Sequence, residues 1–369
     1  MRTMAAVLRK AGDPWDVTEI DLDPPREHEV LLRMAAAGLC HSDEHFRLGD
    51  AEARLPIVGG HEGAGVVEAV GPGVTRVAVG DHVACSFIPV CGTCRYCQTG
   101  RSSLCDQGAN AGVGCLPDGS YRFHEDGVDV GGICALGTFS RHLVVSEWSV
   151  AKIDDDLPFD IAALVSCGVT TGWASSVYAG GVRAGDVTVV FGIGGVGINA
   201  VQGARYAGAR AVVAVDPVPL KLEAARRLGA THATSDPDQA QQLVVDLTRG
   251  QLADQAILTV GVMSEDVVDR GLQIIGKGGT VVITGMGPAD DITIKQNSMM
   301  VTLWQKRIQG ALFGSANPLY DIPRLLALYR TGDLKLDELI SRRYQLEQVN
   351  QGYEDMLEGR NIRGVIVFD

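Results

Sequence analysis

The chain has 369 residues, 46% hydrophobic and only 5% aromatic, with 46 glycines and a formal net charge of -13. That length exceeds what a single core ordinarily serves, so two domains are expected, and the apolar, glycine-rich composition excludes a disordered chain. The acidic surplus repels phosphate backbones and anionic lipid, and no local basic patch offsets it, which excludes nucleic-acid and membrane-surface binding.

The N-terminal stretch MRTMAAVLRK is too short and too interrupted for a signal peptide, and no apolar run reaches the eighteen or so residues of a membrane span. A cytoplasmic location is expected, where the nine cysteines stay reduced and point to metal binding or catalysis before disulfides. From residue 1 to about 150, short valine-rich stretches such as EVLLRMAAAG, GAGVVEAVG and DHVACSF read as strands of an antiparallel, barrel-like unit. Between them lie CHSDEH, residues 40–45, and GGHEGAG, which carries His61 and Glu62. A thiol, imidazoles and carboxyls this close together suggest metal ligands.

Residues 91–139 are rich in Cys, Gly and Asp with little periodicity, and a loop that long needs something to hold it. Cys91, Cys94, Cys97 and Cys105 follow the spacing C-x2-C-x2-C-x7-C. Two-residue gaps let thiolates converge on one ion, and four of them close a tetrahedral shell that prefers zinc in a structural role. An iron–sulfur cluster also takes four thiolates, but the proline that follows the last cysteine in one common pattern is missing. A zinc-ribbon binding module would explain the lobe alone and predicts basic residues around it, with no cofactor domain.

Near residue 170 the texture changes. DVTVVFG, AVVAVD, DQAILTVG and GTVVITG are near-continuous apolar runs, as parallel strands covered on both faces require. Helical segments at Pro219 to Leu228 and Glu265 to Ile274 alternate with them, giving a doubly wound α/β sheet. After about residue 313 come helices near 320–331 and 348–358 and a last strand, RGVIVF. The expected division is 1–168 with 314–369 as a discontinuous first domain, and 169–313 as a nucleotide-binding domain.

The first of those parallel strands runs into Gly192-x-Gly194-x-x-Gly197, then a helix, then a second strand ending on Asp216. Gly192 permits the tight turn, Gly194 lets backbone amides approach a pyrophosphate, and Gly197 allows close packing of helix on strand. Gly195 and Val196 complete the loop, whose helix N-terminus faces the phosphates. The Asp216 carboxylate can accept from ribose hydroxyls and would repel a 2′-phosphate, which favours NAD over NADP. Lys221 is a candidate for the adenosine ribose, and a solvated helix-face lysine is the equal alternative.

A hydride-acceptor domain restricts what the first ligand set can do. Cys40 and His61 need a third ligand from elsewhere, and the candidate is Cys167 in LVSCGVTTGW. A lone SCG is more often an inert buried thiol; the company of the other two motifs favours a ligand. Two cysteines and a histidine with an exchangeable fourth position form the catalytic zinc pattern of alcohol dehydrogenase.

With GLCHSDEH, GGHEGAGVVEAVG, PVCGTCRYC, SCGVTTG, GIGGVG and NIRGVIVF in order over nearly the full length, the chain resembles the zinc-dependent medium-chain alcohol dehydrogenases. The resemblance implies a GroES-like barrel domain plus a Rossmann domain. It implies two zinc ions per chain, one catalytic on Cys40, His61 and Cys167 and one structural, with Glu62 beside the first and Asp43 orienting His61. Zinc would acidify an alcohol, whose hydride passes to nicotinamide. Ser42 would take the proton and pass it through the cofactor ribose to His45, three residues along a helical turn. His41, where some members carry arginine, and Arg363 would contact the pyrophosphate, Thr171 would approach the nicotinamide, and Phe87 would wall the substrate pocket. The implied assembly is a dimer through RIQGALFG, with a tetramer equally allowed.

YRFHEDGVDVGGICALGTFSRH, DPVPLK and KRIQGALFG look closer still to actinobacterial nicotinoprotein alcohol dehydrogenases, which are dependent on N,N-dimethyl-4-nitrosoaniline and associated with mycofactocin. That resemblance implies a non-exchangeable NAD, reduced by the alcohol and reoxidised in place by an external redox carrier. The rival readings are a thiol-dependent formaldehyde dehydrogenase, which shares the zinc chemistry, and a zinc-free quinone or enoyl reductase on the same scaffold.

Overall fold

The computed structural model describes residues 1–287, 294 and 296–369. They form two compact units, Met1–Cys167 with Asn317–Asp369, and Gly168–Ala316.

The first unit is built on antiparallel strands. Strand Glu29–Gly38 sets the pattern: Val30, Leu32, Met34 and Ala36 are buried while Arg33 is exposed, the period of two that a pleated strand imposes on a one-sided core. It pairs antiparallel with Gly63–Val70, His142–Ser146 and Arg363–Val367. The sheet order is Val150–Lys152, His82–Cys85, Gly63–Val70, Glu29–Gly38, Arg363–Val367, Ile340–Tyr344. A closed barrel of five further strands packs with it, and Leu32, Met34, Val67, Val83, Leu143 and Val145 are central to the shared core. The three stretches read as antiparallel strands are therefore strands, and neighbours.

The region read as one long aperiodic loop is more ordered than its composition suggests. Phe123–Glu125 and Val128–Gly132 form a hairpin that closes the barrel, pairing with Asp16–Leu22 on one side and Ile57–Val58 on the other. Arg122 anchors this segment through a buried ion pair with Glu29, 93 residues earlier. Such short strands take their stability from the sheet they complete, so local periodicity does not reveal them.

The second unit holds an all-parallel sheet in the order His232–Thr234, Ala211–Val215, Val187–Phe191, Ala253–Leu258, Ile275–Ile283, Arg307–Gly310. Every residue of Val187–Phe191 and Ala211–Val215 is buried, which is why these strands read as unbroken apolar runs. The order reverses between Val187–Phe191 and Ala253–Leu258, and ligands bind at such a switch point in doubly wound sheets. Helices Pro219–Arg227 and Glu265–Ile274 lie where the sequence predicts them.

One expectation needs correction. The helical run Phe159–Ala179, 21 residues, is long and apolar enough by composition to cross a membrane. Its most apolar window is 89% buried within the protein, as a core helix would be.

Candidate active site

Cys40 lies just past strand Glu29–Gly38, at the N-terminal boundary of helix His41–Leu48, with extended backbone at φ -123° and ψ 148°. A thiol at a helix N-terminus lies where the backbone dipole favours its anion. His61 and Glu62 occupy the turn entering strand Gly63–Val70, held by the Thr138 hydroxyl, which donates to the Glu62 carbonyl at 2.8 Å. Cys167 comes from a different kind of element, a π-helical turn over Val165–Val169. π-turns are rare and concentrate at functional sites. In the same turn Ser166 Oγ accepts from the Gly63 N–H at 3.1 Å, which ties the cysteine-bearing helix to the start of the strand that follows His61 and Glu62.

These elements bring Cys40, His61, Glu62 and Cys167 together. Each offers one ligand atom, and all four atoms lie within 4.8 Å of one another. The electrostatics are those of a ligand set. The Cys167 thiol, by hydrogen bonding, holds Cys40 well below the usual thiol range against the cost of burial, and Cys167 itself is pushed well above it. Burial opposes a charge on His61, but Asp43 and the two cysteines outweigh it and raise the imidazole well above its ordinary value. Burial raises Glu62 to about 7 even though Arg363 opposes this. A thiolate, a paired imidazole and a carboxylate in a buried cage suit zinc, the borderline ion that accepts S, N and O donors.

Asp43 does what its position suggested: His61 Nδ1 lies 2.8 Å from its Oδ1, so Nε2 is the atom the ring offers to a metal. Asp43 is fully buried, and that burial raises its pKa against the pull of His61. Ser42 Oγ lies 3.7 Å from Cys40 Sγ, and Ser42 and His45 share helix His41–Leu48.

The second cluster matches its spacing. Cys91, Cys94, Cys97 and Cys105 also place one ligand atom each within 4.8 Å of the others. Backbone N–H groups turn toward sulfur, from Cys94 and Thr93 to Cys91 Sγ at 3.3 and 3.4 Å and from Cys97 to Cys94 Sγ at 3.5 Å. Such donors stabilise thiolate: against the cost of burial, Thr93 and Cys94 lower Cys91 to about 6.

In the second unit, Gly192 has φ +84° and turns the chain out of strand Val187–Phe191. A Cβ on Gly194 would meet nothing within 4 Å, whereas one on Gly197 would collide with the Gly192 carbonyl oxygen. Open space above the loop and tight packing below it are the two requirements of a dinucleotide cradle. Helix Gly197–Tyr206 begins there, with Gly195 and Val196 as its lead-in. Asp216, at the end of the next strand, accepts from the Ile193 N–H at 2.7 Å and the Val218 N–H at 2.9 Å. Lys221 Nζ stands 4.0 Å from its carboxylate. A nucleotide carrying ribose hydroxyls fits this edge.

Residues 26–155 match the model of the alcohol dehydrogenase GroES-like domain, and residues 195–330 match that of the zinc-binding dehydrogenase family. An NDMA-dependent alcohol dehydrogenase of Amycolatopsis methanolica is 60% identical over 367 residues, covering 100% of this chain and 99% of that protein. The chain belongs to the zinc-dependent alcohol dehydrogenase family. An S-(hydroxymethyl)glutathione dehydrogenase of Paracoccus denitrificans is 36% identical with 100% of both chains covered. The solved benzyl alcohol dehydrogenase of Acinetobacter calcoaceticus has a TM-score of 0.92 at 30% identity, covering 100% of both. A GroES-like unit, a Rossmann unit and membership among the oxidoreductases follow from these matches.

Phe87 packs edge-on against His61, ring centroids 5.6 Å apart at 89°, beside the ligand cage. His41 lies against His45 with ring centroids 5.1 Å apart. Arg363, read as a pyrophosphate contact, is buried and ion-paired with Glu62. Thr171 is buried in helix Thr170–Ala174 of the second unit. Sequence reasoning missed two residues here. Asp50 bonds His45, and the buried Tyr353 hydroxyl lies near enough to Asp43 to oppose, weakly, the rise that burial gives its pKa, although neither that hydroxyl nor Asp43 Oδ2 makes a hydrogen bond of ordinary geometry. Tyr353 is 310 residues from Asp43, so no local pattern marks it; Asp50 follows a helix-ending glycine, which is a legible signal for a chain turning back.

Asp43→Asn keeps the shape of the His61 contact and removes its charge. The expected result is a catalytic metal held about tenfold to a hundredfold more weakly, measured by competition with a chelator, with the four-cysteine lobe still loaded.

Proposed function

We propose that the chain oxidises primary or secondary alcohols reversibly to aldehydes or ketones, passing hydride to NAD. The observation that carries this reading is the convergence of Cys40, His61 and Cys167 on one ligand sphere in a chain that also holds a dinucleotide cradle. Cys40, His61 and Cys167 would hold the catalytic zinc and the four-cysteine lobe a structural one. When bound, zinc supplies Lewis acidity that acidifies an alcohol hydroxyl, and NAD supplies the two-electron acceptor.

The chain's own residues do the rest. Asp43 keeps the His61 ring in its ligating tautomer. Glu62, neutralised by Arg363, stands beside the cage as an occasional ligand. Ser42 receives the alcohol proton and His45 carries it onward, both on helix His41–Leu48. Phe87 walls the alcohol side. Asp216 and Lys221 hold the adenosine ribose and exclude a 2′-phosphate; the Gly192–Gly197 loop, His41 and Arg363 serve the pyrophosphate, and Thr171 the nicotinamide. A panel of alcohols, assayed with added NAD and with an artificial acceptor, tests the reaction; no oxidation of any alcohol under either condition overturns it.

Similarity to the NDMA-dependent enzyme supports a finer reading, in which NAD stays bound and an external redox carrier reoxidises it in place. Denatured purified protein is then expected to release about one NAD per chain, in line with one dinucleotide cradle. An empty site, with turnover dependent on added NAD, returns the protein to the ordinary dehydrogenases. Similarity to the S-(hydroxymethyl)glutathione dehydrogenase supports the rival substrate, a formaldehyde–thiol adduct. Faster turnover of formaldehyde with a small thiol than of simple alcohols would favour it.

Two further readings belong here. Strand Arg307–Gly310 is an exposed sheet edge with Ile308, Trp304 and Leu303 exposed on or near it, which supports a homodimer formed by strand pairing, or a tetramer. None of the nine cysteines is joined in a disulfide, which supports a reducing, cytoplasmic location.

A further inference from the structure

We propose that Asp50 is a positioning residue for His45, holding its imidazole in the tautomer with the proton on Nδ1 so that Nε2 accepts the proton released in alcohol oxidation. The proposal rests on the reading of His45 as proton carrier and adds the group that prepares it.

Asp50 reaches the ring through local backbone geometry. Helix His41–Leu48 ends at Gly49, whose φ of +88° turns the chain back. The N–H groups of Gly49 and Ala51 both donate to the His45 carbonyl, at 3.1 and 3.2 Å. Residues 49–51 thus wrap the last turn of the helix and lay the Asp50 side chain on the His45 ring. The Asp50 Oδ2 to His45 Nδ1 distance is 2.9 Å.

The two partners differ in exposure in a useful way. The His45 side chain is 6% exposed and the Asp50 side chain 35%. A buried imidazole beside a carboxylate whose other face meets water is anchored from outside the site. His41 also packs its ring edge-on against His45, with ring centroids 5.1 Å apart at 64°.

The chemistry follows from the ring. A neutral imidazole has one N–H and one acceptor nitrogen, and which is which is set by the bond one of them makes. An ionised carboxylate only accepts, so it demands the proton on Nδ1 and leaves the lone pair on Nε2. The proton taken up at Nε2 converts the ring to imidazolium, whose charge faces the Asp50 carboxylate. Loss of that proton to water restores the neutral ring and the same tautomer. Asp50 itself exchanges no proton with substrate, as in other histidine–carboxylate pairs where the acid orients the base.

The test uses the holoenzyme labelled with 15N-histidine. In the wild type, His45 is expected to show a protonated Nδ1 and an unprotonated Nε2. In Asp50→Ala the population moves toward Nε2–H, and alcohol oxidation slows on the order of tenfold or more in kcat with little change in KM, within the range a positioned acid–base group contributes. Formate, a small carboxylate, is expected to restore part of that rate in Asp50→Ala. Asp50→Asn, which keeps the side-chain volume, is expected to be slowed as well. Unchanged tautomer and rate in both variants overturn the proposal, as does a wild-type His45 protonated on Nε2. His45→Gln separates the two levels: if it leaves oxidation at the wild-type rate, the carrier reading itself fails. If it slows oxidation while the Asp50 variants do not, only the assignment of Asp50 fails.

Discussion

Cys167→Ala is expected to lose alcohol oxidation by on the order of a thousandfold or more, since the Lewis acid it helps hold is worth several kcal/mol in the transition state. The substitution removes one of two buried thiols that share a single ligand sphere. The remaining thiol also loses a stabiliser, because the hydrogen bond from Cys167 is the largest influence holding Cys40 below the usual thiol range. With one thiolate, one imidazole and a carboxylate already engaged by Arg363, the cage no longer competes for zinc. Metal analysis is expected to show the loss of about one ion per chain, the four-cysteine lobe keeping its own. Circular dichroism is expected to be unchanged. Full activity in a variant stripped of that ion would mean a zinc-free reductase on this scaffold.

The second large effect separates two glycines five and two residues into the same loop. Gly197→Ala places a methyl group against the Gly192 carbonyl oxygen and the Thr259 hydroxyl, both held by the sheet. Backbone cannot yield there as the tip of a side chain could, so overpacking of about 1–3 kcal/mol or more is expected. The variant should unfold at lower temperature even without nucleotide. Gly194→Ala meets no protein atom within 4 Å. That variant is expected to fold normally and to bind NAD at least about tenfold more weakly, because the space the methyl takes is where a pyrophosphate approaches. Differential scanning calorimetry and nucleotide titration distinguish the two. If both variants lose stability and keep their NAD affinity, the loop is not the cradle.

Much of this arrangement is legible in the order of residues alone. The unbroken apolar runs around 187–191 and 211–215 state that those strands are covered on both faces, and they are. The four cysteines at 91, 94, 97 and 105 are close in sequence, so their convergence needs only a short knuckle. Gly192, Gly194, Gly197 and Asp216 lie in one strand–helix–strand unit, where local spacing dictates spatial proximity. The hairpin at 123–132 was not legible, because its strands are three and five residues long and exist by completing a barrel.

The catalytic cage marks where reading along the chain stops. Residue types at 40, 61 and 62 announce ligands, since soft and borderline donors cluster there within one antiparallel sheet. That Cys167 joins them depends on a π-turn in a helix pinned to strand Gly63–Val70 by Ser166, and neither leaves a periodic trace. The pairing of Arg363 with Glu62 spans 301 residues and arises because strand Arg363–Val367 adds to the sheet beside Glu29–Gly38. Asp50 lies between these cases, near in sequence to His45 yet aimed at it only by the turn at Gly49. Donor chemistry and short-range spacing are properties of the chain itself. Which distant side chains share a ligand sphere, and which buried charges neutralise one another, is decided by packing, because burial makes an unpartnered charge too costly to leave alone.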